Sequence, residues 1–106
     1  MWAVYGNDLS MAEMDYGLKL PVIINGATFA ENDEVKLTIK TAVNGETLIE
    51  KTYGAIVDNT VDFELTEAES SLLPVGCYVY RLDWYQDGAF MCNIIPYASF
   101  KVVDKV

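Results

Sequence analysis

The sequence predicts an all-β chain folded as one antiparallel β-sandwich with a short helical crossover. Three observations carry that expectation. Apolar and polar residues alternate through Val35 to Val43 and again through Tyr78 to Trp84, the pattern of strands with one buried face. Asn, Asp and Gly pairs sit between such runs, where the chain must reverse. The one helical signal, Thr66 to Leu73, is too short for anything but a connection and is closed by Pro74 and Gly76.

In chain order, a first strand is expected near Val4 to Met11 and a second over Tyr16 to Ile24, where Leu18, Leu20, Val22 and Ile24 share one parity. Pro21 lacks the N–H that an inner ladder position needs, so this strand belongs at an edge or carries a bulge. Glu31 to Glu34 reads as a turn. Val35, Leu37, Ile39, Thr41 and Val43 then form an inward face, and Asn44-Gly45 fits a two-residue type I′ turn that returns the chain through Glu46 to Tyr53, a second candidate edge. Ala55 to Leu65 reads as a strand broken at Asp58-Asn59. Thr66 is placed to cap the helical turn with Glu69 completing a capping box, and Leu72 and Leu73 are expected to close it on the core.

The run Tyr78, Tyr80, Leu82, Trp84 and its return through Phe90, Cys92 and Ile94 predict a hairpin about Gln86-Asp87-Gly88. A three-residue loop is preferred, because it pairs Trp84 with Phe90, Leu82 with Cys92 and Tyr80 with Ile94 on one apolar face. Ala98 to Val102 continues as a strand segment beyond Pro96. In this register Cys77 lies far along the ladder from Cys92, so both are expected to be free thiols.

The chain has 106 residues, of which 52% are hydrophobic, enough for a core in one domain over residues 1–106. Sixteen acidic residues against seven basic ones give a net charge of −9, with no Lys/Arg cluster along the sequence to neutralise phosphates. Neither nucleic acid nor a membrane is therefore an expected partner. Met1 to Leu9 has no basic start or apolar core, and no apolar run nears the roughly 20 residues of a membrane span, so a cytosolic origin is expected.

With no histidine, the chain lacks the commonest general base and zinc ligand. Asp58 with Asp62, or Glu67 with Glu69, are the only carboxylate pairs worth weighing for acid–base chemistry, and both read better as solvated surface. Glu31, Asp33 and Glu34 crowd one turn without the ligand series of a calcium loop. No catalytic residue, cofactor or metal site is expected. Among the aromatic residues, Tyr78, Tyr80 and Trp84 belong to the apolar face. Trp2, Tyr5, Tyr53, Tyr85 and Tyr97 are candidates for exposure, and Trp2, Tyr5 and Tyr53 are assigned to a protein contact.

Met11-Ala-Glu-Met-Asp15, Leu20 to Phe29, Asp33 to Ile39, Thr66 to Tyr80 and Ala98 to Val102, taken in that order, resemble the small immunoglobulin-like modules of tailed-phage and prophage proteins. The layout is similar to the N-terminal domain of baseplate upper proteins. Met14 stands where a glycine commonly precedes the aspartate of the first motif. The resemblance implies an immunoglobulin-like sandwich and a non-enzymatic structural or protein-binding role as a virion or baseplate component. It further implies protein partners, as a homo-oligomer or with other virion proteins, and residence in the virion or in host cytoplasm before assembly. The second reading is a carbohydrate-binding or cell-surface adhesion module, which an exposed aromatic row would favour.

Overall fold

The computed structural model describes residues 2–104, so Met1, Lys105 and Val106 of the expected 1–106 domain lie outside the described residues. Eight strands and one helix follow in order: β1 (Trp2–Tyr5), β2 (Asp8–Ala12), β3 (Leu20–Ile23), β4 (Asp33–Lys40), β5 (Thr47–Tyr53), β6 (Thr60–Phe63), α1 (Glu67–Ser71), β7 (Gly76–Gln86) and β8 (Ala89–Val103). The fold is all-β, with a six-stranded sheet ordered β1-β2-β8-β7-β4-β5 and a two-stranded sheet of β3 and β6.

The expected wholly antiparallel arrangement is corrected at one pairing, since β2 runs parallel to β8 with Leu9 opposite Phe100 and Met11 opposite Val102. The single strand expected near Val4 to Met11 is a hairpin, β1 and β2, reversed at Gly6, whose φ is 61°. That reversal sets the direction in which β2 meets the far end of the chain. No local turn joins β2 to β8, so alternation along the sequence carries no information about their relative direction. The strand expected over Tyr16 to Ile24 shortens to Leu20–Ile23, leaving Leu18 exposed. It remains an edge, as Pro21 requires.

Two turns depart from expectation, for different reasons. Asn44-Gly45 is not a type I′ turn: neither residue has a positive φ, β4 ends at Lys40, and Thr41 N–H bonds to the Glu46 carbonyl across a four-residue loop. Glycine is needed there because a Cβ on Gly45 would fall 2.0 Å from Thr41 Oγ1. The I′ signature instead belongs to Asp58-Asn59, with φ of 55° and 53°, closed by Thr60 N–H on the Val57 carbonyl. It also belongs to Asp87-Gly88, with φ of 48° and 82°.

The β7–β8 hairpin therefore has a two-residue loop, and the preferred three-residue register is overturned. Tyr85 faces Phe90, Trp84 faces Cys92, Leu82 faces Ile95 and Tyr80 faces Ala98. The expectation demanded one continuous apolar face, but three register shifts absorb the mismatch. Phe90 consequently lies outside, edge-on to Tyr85 at 5.8 Å. Cys77 pairs with Lys101, well away from Cys92, and both thiols are free and exposed.

Helix α1 forms as its residues dictate. Thr66 Oγ1 accepts the Glu69 N–H at 3.1 Å and Glu69 Oε1 accepts the Thr66 N–H at 2.8 Å, satisfying two donors that a helix start leaves free. Lys51, on the β5 edge, turns onto the helix side, 3.0 Å from Glu69 Oε1, and also donates to the Glu64 carbonyl. Burial alone would raise the Glu69 pKa, but the Thr66 N–H and the Lys51 ammonium hold it below the usual carboxylate value. Leu73 closes onto the core as expected, whereas Leu72 is exposed.

Both sheets feed one buried cluster. Val35, Leu37, Ile39, Tyr80, Leu82 and Phe100 from the large sheet meet Val61 and Phe63 from the small one, with Leu65 and Leu73 beside them. The aromatic rings meet edge to face, Phe63 with Tyr80 at 6.5 Å and Tyr80 with Phe100 at 6.3 Å. Leu82 is fully buried among them. Leu82→Ala is expected to cost about 2–5 kcal/mol by denaturant titration, and a loss below about 1 kcal/mol would remove it from the core.

Candidate functional site

Two strands cannot cover the inner face of six, and the uncovered part is a groove of about 350 Å³. Its walls are the β1–β2 hairpin from Val4 to Leu9, the whole of β3, and Ile94 with Ile95 of β8. Phe63 and Tyr80 also line it. Each wall has a local cause. Ile94 is the extra residue at the register shift between Leu82 and Asp83, and the bulge brings it and Ile95, consecutive along the strand, to the same cavity. Val4 is 55% exposed and Ile23 65% exposed, so apolar lips stand open to solvent.

The groove runs along the free edge of β3. Ile24 N–H bonds to the Asn59 carbonyl at 2.8 Å, so alternation turns the N–H groups of Leu20 and Val22 toward β6 and that of Ile23 outward. Pro21, also outward, has no N–H to offer. The edge thus leaves the Ile23 donor and the Pro21 and Ile23 carbonyls without a strand partner among the described residues. At the opposite wall the Tyr80 hydroxyl donates to the Asn7 carbonyl, fixing the hairpin turn against the core. Burial, and secondarily Asp8, push the Tyr80 phenol up to about 12.

The three residues assigned to a protein contact do not come together. Trp2 and Tyr5 lie on β1 at one edge of the large sheet, and Tyr53 lies on β5 at the other. Trp2 faces inward, donating from Nε1 to the Leu18 carbonyl at 3.0 Å and meeting the Phe100 ring edge-on at 5.7 Å. Tyr53 is half-buried and stacks on Phe63 at 6.0 Å. Burial and then the Glu69 charge raise its phenol to about 12. Tyr5 is 87% exposed. The groove also takes in Ile23, Ile94 and Ile95, which the sequence does not single out as site residues. Two adjacent isoleucines interrupting an alternating strand are the signal that marks the bulge.

Several of the carboxylates have structural duties. Asp33 is buried, accepting the Ala30 N–H at 2.8 Å and the Gln86 side chain at 3.3 Å. Asp58 belongs to the I′ turn, and Asp62 lies opposite Pro21 in the small sheet. Glu69 serves the capping box while Glu67 lies in the first turn of α1. Among the described residues no group of three or more Asp, Glu or Cys side chains converges in a way that would hold a metal ion.

The phenols order an alkaline titration. Tyr53 and Tyr80 have folded-state values near 12 against an ordinary 10.0, so the folded state retains their protons longer than the unfolded chain does. Their contribution is intact below pH 10 and is lost as pH rises toward 12. Stability measured by denaturant titration should therefore fall across that window, less steeply in Tyr80→Phe. An unchanged slope in that variant would contradict the assignment.

No family model, curated protein or solved structure matches this chain.

Proposed function

We propose that this chain is a non-enzymatic structural or protein-binding module, a component of a phage or prophage virion or baseplate, whose two sheets close as an immunoglobulin-like sandwich. The observation that carries the reading is the apolar groove beside the free β3 edge. It offers backbone hydrogen bonds and side-chain pockets together, the combination that an added strand uses. Asp33, Glu50, Glu69 and Asp83 are engaged in a turn, a cap and ion pairs, and the sequence has no histidine to act as a base, which supports a role without catalysis. The likeness of the Met11 to Asp15, Leu20 to Phe29 and Thr66 to Tyr80 segments to phage modules supports the virion setting, with residence in host cytoplasm before assembly.

The first partner in this reading is another copy of the chain, with other virion proteins beyond it. A net charge of −9 makes copies repel at long range, so contact has to be local and apolar and has to tighten as salt screens the charge. Tyr5, exposed on β1 next to Val4, lies on the other face of the strand and stands outside that contact. Sedimentation velocity across protein concentration should show self-association that strengthens from low to moderate salt and is lost in Ile23→Asp. A strict monomer at high micromolar concentration in both salts would overturn self-assembly.

A further inference from the structure

The face of the large sheet turned away from the core carries a second constellation, separate from the groove. Register places Arg81 opposite Thr38, and on β4 the residues two places either side of Thr38 are Lys36 and Lys40. Three of the seven basic residues of an acidic chain thus share one patch, and β8 lays Tyr97 across it. The Tyr97 ring lies 5.1 Å from the Arg81 guanidinium and 5.3 Å from Lys40 Nζ, and its hydroxyl oxygen accepts from Lys40 at 3.2 Å.

The charges there are unequally matched. Lys36 has Glu50 at 3.4 Å and Arg81 has Asp83 at 2.8 Å, but among the described residues Lys40 meets only neutral oxygens, the Val43 carbonyl at 2.9 Å and the Tyr97 phenol. Asp83, opposite Lys36 on the same face, is buried and is further engaged by Asn93 at 2.9 Å. Lys40 therefore makes no ion pair among the described residues. Donor capacity remains too: an ammonium has three N–H groups and Lys40 spends two, the Arg81 guanidinium has five and spends one on Asp83, and the Tyr97 hydroxyl accepts from Lys40 while its own O–H is left to donate. Hydrogen bonds from Lys40 and Arg81 hold the Tyr97 phenol below its usual value, as those same contacts require.

We propose that Lys40, Arg81 and Tyr97 form a binding site for a phosphate group. A tetrahedral oxyanion has enough acceptor oxygens to take the remaining Lys40 donor, the guanidinium and the Tyr97 O–H at once, and it supplies the missing negative charge. The site accepts free phosphate or a phosphate ester carried on a larger molecule, and the two share this chemistry.

Amide NMR titration with inorganic phosphate, at constant ionic strength against chloride, tests it. Saturable shifts confined to the neighbourhood of residues 40, 81 and 97 are expected. They should disappear in Lys40→Ala and weaken several-fold in Tyr97→Phe, which keeps the ring and loses the donor. Lys19→Ala, a change outside the patch, should leave them intact. A parallel titration with glycerol 3-phosphate separates the sources: tighter binding than inorganic phosphate assigns the site to esters, and weaker binding to the free ion. Shifts that stay linear with both probes, or saturation unaltered in Lys40→Ala while its spectrum remains that of the folded protein, would overturn the proposal.

Discussion

The structure depends on covering a six-stranded apolar face with a two-stranded sheet. A two-stranded ribbon is marginal alone, so β3 and β6 persist because Val61 and Phe63 are buried against Tyr80 and its neighbours. The remainder of the inner face needs other cover. On the β5 side it comes from Leu65, Leu73 and the α1 turn, anchored by Lys51 to Glu69 and the Glu64 carbonyl. On the β1–β2 side no strand of the described residues extends the layer beyond β3, and the groove is the result. The proposed contact is thus a consequence of how the cover is distributed, and the exposed lips Val4 and Ile23 mark where it ends.

Aromatic side chains carry the load between layers. Trp2, Phe100, Tyr80, Phe63 and Tyr53 form a continuous series of ring contacts from β1 at one edge to β5 at the other. Tyr80 stands in the middle, its ring in the core and its hydroxyl on the Asn7 carbonyl, so it links the hairpin turn to both sheets. The outer face follows different rules. There Lys36, Lys40, Arg81 and the tyrosines form exposed ion pairs and cation–π contacts, each of which adds little to stability. Their arrangement has more bearing on what approaches that face than on whether the chain folds.

What the sequence disclosed was local. The capping box at Thr66 and Glu69, the edge position of Pro21 and the inward parity of Val35, Leu37 and Ile39 are each dictated by neighbours within a few residues, and each appears in the structure. The β7–β8 register was missed because it rests on three bulges, and a bulge trades local alternation for distant packing. Asn44-Gly45 misled for a related reason. The dipeptide permits a type I′ turn, but Thr41 Oγ1 captures the Glu46 N–H and draws the loop into another shape. The groove needs β1–β2, β3 and β8 brought together from three parts of the chain, and no spacing encodes that meeting. The outer-face patch was half visible: Lys36, Thr38 and Lys40 alternate in the sequence, whereas Arg81 and Tyr97 join them only through the register.

The central claim is that the small sheet is a cover held by side-chain packing and is weaker than the sheet it covers. Native-state hydrogen exchange reads this residue by residue. The Val22, Ile24 and Val61 amides should open at a distinctly lower free energy than those of Leu37, Ile39 and Leu82, and should do so together as one unit. Equal protection in both sets, at the free energy of global unfolding, would show that the two sheets form a single cooperative structure and would contradict the account.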